Sequence, residues 1–247
     1  MSEYIIGGWT QNPADTSPES FSVTMYGMVT NLSGLTTGTP QSPGWSPDKT
    51  IAPSGSGKVM WTYGGGGCTP NNMPLNPASV DAIVGATGRG NWAGVDFDDE
   101  CSMNVNMLLE TMSQLKSLNK ECSYTFLAGW DYNNPGASKL GPKINQAVKA
   151  IAQSQSANRF CLMCYASSMW SMSDIEANVG PAIDRTIGNG VPANQVILAL
   201  TPAGLNQESL DYFLNQVKSK GIGGLFIWNY PAMPSNYMQQ IEQALLA

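Results

Sequence analysis

The chain has 247 residues, 12 Lys plus Arg against 18 Asp plus Glu, a formal net charge of −6 and no histidine at all. The missing histidine removes Ser-His-Asp and Cys-His mechanisms and His-ligated metal sites, leaving carboxylates, Tyr, Lys or Cys to do any chemistry. Few basic residues and no basic cluster speak against a nucleic-acid footprint or an anionic-membrane patch, and no apolar run reaches the length of a membrane span.

The first residues, Met1-Ser2-Glu3-Tyr4, carry neither a charged leader nor a long apolar stretch, so no signal peptide is expected here. Tyr4 to Trp9 and Phe21 to Val29, rich in apolar, β-branched and aromatic residues, predict the first two strands. Thr30 to Gly57 is a Pro/Gly/Ser/Thr stretch without apolar periodicity and reads as a long loop, more often functional than not in a compact domain. Lys58 to Tyr63 predicts the third strand, stopped by Gly64-Gly65-Gly66-Gly67. Four glycines suit a place where a ligand or a neighbouring strand end approaches the backbone, or a flexible turn; no Lys-Ser/Thr pair follows to make a phosphate loop. Asn76 to Thr87 predicts a helix.

Gly94-Val95-Asp96-Phe97-Asp98-Asp99-Glu100 is where acidic residues crowd into an otherwise charge-poor chain. As a strand it alternates, so Asp96, Asp98 and Glu100 share one face while Val95 and Phe97 take the other. Carboxylates stacked on one face repel and lose hydration, which raises at least one pKa and leaves a proton to donate near neutral pH. A solvated acidic loop or a Mg²⁺ or Ca²⁺ site are the other readings of such a cluster. Asp99 points away from the ladder, where it would cap the following helix.

Ser102 to Leu118 is strongly amphipathic, with apolar residues at three- and four-residue spacing. Strands at Tyr124–Trp130, Phe160–Tyr165, Val196–Thr201 and Gly224–Asn229 then alternate with helices at Gly141–Gln153, Ser173–Ile187, Gln207–Lys220 and Ser235–Leu246. Ser173 is the expected cap of its helix, and Gly221 closes the one before the last strand. About eight such strands in a chain of this size predict an α/β fold, a (β/α)8 TIM barrel forming a single domain over 1–247. A doubly wound open sheet is the alternative, but the first strand has no G-x-G-x-x-G turn.

Five cysteines make an odd count, so at least one is unpaired. Cys161 and Cys164 form a C-x-x-C, but three apart on a strand they face opposite ways and read as buried free thiols, which fits a cytoplasmic or otherwise reducing setting. In a barrel the C-terminal strand ends build the site, and the polar and aromatic residues there are Trp9, Tyr63, Asp98, Glu100, Trp130, Asp131, Tyr165 and Trp228. Aromatics around carboxylates suit a sugar site, though any one of them could instead close the barrel mouth or sit in the core.

AGVDFDDE (93–100) resembles the fourth-strand signature D-G-x-D-x-D-x-E of the family 18 glycoside hydrolases, the chitinases. KVMWTYGG resembles that family's third-strand motif with Thr62 in the Ser position. LMCYA resembles the sixth-strand M-x-Y-D motif, giving Met163 and Tyr165, and GGLFIWNY the eighth strand with Trp228. The resemblance implies hydrolysis of β-1,4-linked N-acetylglucosamine glycans by a substrate-assisted retaining mechanism, an exception to the two-carboxylate scheme. Glu100 would be the acid, Asp98 would orient the substrate's acetamido group, Tyr165 would hydrogen-bond its oxygen, and Asp96 would tune Asp98 from below. Trp228 would floor the sugar, with Trp130, Tyr63, Trp9 and Met163 as further substrate-binding residues. No cofactor or metal is implied, and the expected partner is an N-acetylglucosamine-containing oligosaccharide. Ala93 and Ala166 depart from the motifs, at the first Asp of the signature and at the Asp or Asn after the Tyr. Ala93 is expected to shift the coupled titration of Asp96 and Asp98. These departures, with a charge fraction of only 12% that eases self-association, keep open a weak or inactive barrel serving as a lectin or as a storage or self-assembling protein.

Overall fold

The computed structural model describes residues 4–29, 44–66 and 77–246. Eight strands form: β1 (Ile5–Thr10), β2 (Val23–Val29), β3 (Lys58–Gly64), β4 (Gly94–Asp99), β5 (Glu121–Leu127), β6 (Arg159–Met163), β7 (Val196–Leu200) and β8 (Gly224–Trp228). Each pairs in parallel with the next, and β8 pairs with β1, so the sheet closes into a barrel in chain order. The described helices are α1 (Pro77–Arg89), α2 (Val105–Ser117), α3 (Trp130–Asn133), α4 (Gly141–Ser154), α5 (Met172–Gly188), α6 (Gln207–Lys220) and α7 (Ser235–Leu245). This is the (β/α)8 barrel that the alternation predicts, except that residues 11–22 join β1 to β2 without a helix.

Alternation along each strand sorts side chains between the barrel lumen and the layer under the helices. Outside, an aromatic belt of Trp61, Tyr63, Phe97, Tyr124, Phe126 and Phe160 is fully buried beneath the helices. Trp61 Nε1 donates to Thr87 Oγ1 of α1 at 3.0 Å, which ties helix to strand. Helix α2 buries Leu108, Thr111, Met112 and Leu115 against this layer, the three- and four-residue spacing legible in the sequence. Inside, the lumen is polar at both ends. Near its base Arg159 Nη2 pairs with Glu121 Oε2 at 2.6 Å and meets Met60 Sδ at 3.2 Å, and Lys58 Nζ also bonds Glu121.

Element ends differ from the sequence expectation in several places, two of which bear on the site and its surroundings. β5 runs from Glu121 to Leu127, three residues earlier than predicted, so Trp130 opens the short α3 instead of ending a strand. Ser171, not Ser173, caps α5, its side chain accepting from Asp174 N–H at 3.2 Å. Asn206 and Ser209 form a reciprocal capping box at the start of α6, and Gly221 ends that helix in the left-handed conformation, φ 60°. Within the expected long loop, residues 44–57 contain no helix or strand; 30–43, like Gly67, Cys68 and Asn76, lie outside the described residues. Cys122, Cys161 and Cys164 are buried free thiols, whereas Cys101 is disulfide-bonded.

Candidate active site

β4 supplies the acidic groups in tiers. Asp96 is wholly buried in the lumen and fully partnered: Oδ1 accepts from Thr125 Oγ1 at 2.7 Å, and Oδ2 from Trp9 Nε1 at 2.9 Å and Thr62 Oγ1 at 3.1 Å. Burial raises its pKa, and those three donors and the Arg159 charge act against the rise. Two residues on, roughly 6–7 Å nearer the barrel mouth, Asp98 is 3% exposed and its Oδ1 has no hydrogen-bond partner among the described residues. Burial first, then the charges of Glu100, Asp96 and Asp99, hold the Asp98 carboxyl well above the usual carboxylate range. Glu100 follows just past the strand end; partial burial, then the Asp99 charge, raises it too.

The turn carrying Glu100 is pinned from outside. Asp99 Oδ1 accepts from Met103 N–H at 2.9 Å and Oδ2 from Tyr124 O–H at 2.7 Å. The cap of α2 itself is Asn104, whose side chain accepts from Asn106 and Met107 N–H, so Asp99 fixes the turn ahead of the helix and not the helix end. The glycines after β3 press against the same place. Gly64 sits at φ 114°, where any Cβ would collide with the Asp98 carbonyl oxygen, and Gly65 N–H donates to that oxygen at 2.9 Å. A Cβ on Gly66 would stand 3.3 Å from Glu100 Oε2. The glycine run thus admits a neighbouring strand end and leaves room over both carboxyls.

A cavity of about 560 Å³ opens here, at the C-terminal ends of the strands, and brings together Asp98, Glu100, Met163, Tyr165 and Trp228. Tyr165 is 7% exposed; burial, then the Asp98 and Glu100 charges, push its hydroxyl well above the usual range, so it stays a proton donor. Ala166 lines it too, and Gln11, Met28, Gly66, Leu127 and Ser167 complete the wall. Gly66 belongs to the glycine run that the sequence marks as a place of close approach; the other four carry no such mark. Gln11 has the parity of Trp9 two residues before it and could have been found that way, and Leu127 was hidden by placing the end of β5 three residues late.

The structure gives other places to the remaining aromatics. Trp9 is 1% exposed inside the lumen, bonded to Asp96 and edge-on to Phe226 at 5.6 Å, so it supports a carboxylate and offers no face to a sugar. Tyr63 faces outward, buried edge-on against Trp61 and Phe97 at 6.4 Å each, because Thr62 takes the inward register. Trp130 lies beyond the cavity, on its flank. Asp131 joins Ser138 in the loop after α3. Ala93 stands one residue before β4, with the parity of Val95 and Phe97 and about 16 Å from Asp98 along the strand. It therefore does not adjoin the ladder, contrary to the expected shift in the Asp96–Asp98 titration. Among the described residues no group of three or more Cys, Asp or Glu is arranged to hold a metal ion. A groove of about 540 Å³ lies at the opposite end of the barrel, but its one carboxylate, Glu121, is already neutralised by Arg159 and Lys58.

No family model and no curated protein matches the chain by sequence. Solved structures do. The catalytic domain of a hyperthermophilic chitinase from Pyrococcus furiosus superposes with a TM-score of 0.67 at 11% identity, covering 98% of this chain and 96% of that one. A class V chitinase from Nicotiana tobaccum, solved in complex with NAG4, gives 0.66 at 11% over 99% of each chain. A fungal endo-β-N-acetylglucosaminidase of glycosyl hydrolase family 18 gives 0.61 at 15%, over 98% and 96%. The fold is that of the family 18 chitinases. In this barrel the carboxyls of β4, the tyrosine after β6 and the tryptophan ending β8 meet in one cavity at the strand ends, the end where (β/α)8 barrels carry their sites.

Proposed function

We propose that the chain hydrolyses β-1,4-linked N-acetylglucosamine glycans of the chitin type by a substrate-assisted, retaining mechanism. One observation carries the reading: Asp98 Oδ1 is a buried acceptor without a donor among the described residues, in a carboxyl that lines a cavity shared with Glu100 and Tyr165. Burying a polar group unpaired is costly, and a substrate N–H is a donor that would relieve it. Nearly full coverage of the chitinase folds supports the substrate class.

On this reading Trp228 floors the sugar, Asp98 accepts from the acetamido N–H and Tyr165 O–H donates to the acetamido oxygen. Glu100, whose pKa partial burial and then the Asp99 charge raise, gives its proton to the glycosidic oxygen as the C1–O bond breaks. The acetamido oxygen closes on C1 from the opposite face, and the Asp98 carboxylate balances the positive charge of the oxazolinium ion. Water then enters, the Glu100 carboxylate takes its proton, and attack on C1 reopens the ring with retained configuration. Asp96, held by three donors, sets the position and charge of Asp98 from below.

The test is turnover of a fluorogenic chitobioside by the native protein beside Glu100→Gln. The amide lacks the proton, so turnover should fall roughly 100- to 10,000-fold while oligosaccharide binding, read by calorimetry, persists. Native protein that binds sugar yet shows no turnover from acid to neutral pH would refute hydrolysis and leave a lectin; neither binding nor turnover would leave a storage or assembly role.

A further inference from the structure

Asp99 is a buried ionisable group that the mechanism does not use. On β4 it has the parity of Val95 and Phe97, so it leaves the ladder and meets the aromatic belt under the helices. An apolar residue there would avoid stripping a carboxyl of its water. Instead, two segments converge on it. Tyr124 O–H donates to Oδ2 at 2.7 Å, from a ring that is itself wholly buried and stacked on Phe126 at 5.6 Å. Oδ1 takes the Met103 N–H at 2.9 Å, and the Cys101 and Ser102 amides turn to the same carboxyl. Successive N–H groups around one carboxylate close the chain into a tight turn, with Ser102 left-handed at φ 58°. Glu100 is the residue that this turn carries. The Met103 side chain also lies against Gly64, with Cε 2.7 Å from where a Cβ there would stand, so the turn is braced on the glycine run.

The charges are ordered as well as the backbone. Burial raises Asp99, but four donors work against that rise, whereas on Glu100 burial and the Asp99 charge act in one direction. Donors favour the charged form of a carboxyl. Of these two neighbours Asp99 therefore ionises first, and Glu100 keeps its proton to higher pH. The other groups around Glu100 are Asp98 on its own strand, Tyr165 across the cavity, and Lys143 of α4. Lys143 lines a small pocket of about 220 Å³ together with Asp99 and Glu100, but it is exposed and solvent screens its charge.

We propose that Asp99 is a positioning residue for the acid: its carboxylate, anchored by Tyr124, gathers the amides of residues 101–103 and so fixes Glu100 at the cavity without touching the sugar. The proposal rests on the hydrolase reading and adds to it the group that sets the place and the working pH of the acid.

The experiment follows chitobioside turnover against pH for the native protein, Asp99→Asn and the double variant Asp99→Leu/Tyr124→Phe, with urea unfolding to give the folded fraction of each. Asp99→Asn keeps an acceptor for Met103 but loses the charge. Its alkaline fall in kcat should move to lower pH, while the acid side and KM stay as they are. The double variant removes acceptor and donor together, which a buried site tolerates better than removing one. With the turn no longer held, its kcat should fall about 100-fold at unchanged KM, the cost of a misplaced acid. A purely structural Asp99 would change only the unfolding curve. Native-like kcat and pH profile per folded molecule in both variants overturns the positioning role alone. Absence of turnover by the native protein from acid to neutral pH overturns the hydrolase reading and this role together.

Discussion

Asp98 illustrates at the scale of one residue how the fold sets a carboxyl against its own charge. Its folded pKa lies well above the ordinary 3.8. The native state therefore holds this proton more tightly than the unfolded chain does, and the stability so gained is present below the ordinary carboxylate range and lost as pH rises through the raised value. Asp98→Asn cannot ionise. Thermal unfolding at about pH 8 should show it more stable than the native protein by roughly 2–4 °C, with the gap closing near about pH 4. Turnover of the chitobioside should fall with the same substitution, the usual exchange of activity for stability at a strained site. A variant less stable at pH 8 would contradict the burial of an unpartnered charge. Turnover by the native protein should likewise decline as pH rises through the raised Glu100 value, because the acid must be protonated to act.

Among elements, the joint between β3 and β4 positions both carboxyls. Gly64 holds φ 114° and has no room for a Cβ beside the Asp98 carbonyl, whereas Gly88 in α1 faces open space. Gly64→Ala should therefore cost at least about 1–3 kcal/mol in urea unfolding and lower turnover further by displacing Asp98. Gly88→Ala should stabilise by about 0.4–1 kcal/mol through the unfolded chain and leave turnover alone. The glycine run was visible in the sequence, and so was its meaning as a place of close approach. Which strand end it meets was not, because a strand's neighbours are chosen by barrel closure and leave no mark on its own residues. The end of β5 was misplaced for a related reason: Trp130 is as good a strand residue as Leu127, and only Gly129 and the turn into α3 separate them.

The whole barrel has two polar ends that respond to pH in opposite senses. At the base, burial alone would raise Glu121, but the Arg159 and Lys58 charges outweigh it and bring it below its ordinary 4.5. That group stabilises the fold above the ordinary range and loses its contribution as pH falls through the lowered value, so base and mouth together favour mild acid. Arg159 is 7% exposed and its Nε has no partner among the described residues, which makes Glu121 its main compensation. Glu121→Ala should cost roughly 3 kcal/mol by leaving a buried guanidinium unpaired. Turnover at the folded temperature should stay unchanged, since the site lies at the other end of the lumen; a matching loss of activity would show that the two ends are coupled.

Composition and periodicity were enough for the barrel, the amphipathic helices, the one-face ladder on β4 and the exclusion of histidine chemistry, because those follow from side-chain type and from rules local to a few residues. The same local rules put Asp98, Glu100, Tyr165 and Trp228 at strand ends, where the folded chain gathers them. They could not say that Trp9 and Tyr63, equally aromatic and equally near strand ends, turn into the lumen and under the helices, or that Ala93 lies far from the ladder. Inside and outside differ by one residue of register, and register is set by the neighbouring strand. Which donors reach Asp96, which oxygen of Asp98 has none, and which indoles flank the cavity are facts about residues tens of positions apart, and only closure of the sheet brings those residues within hydrogen-bond reach.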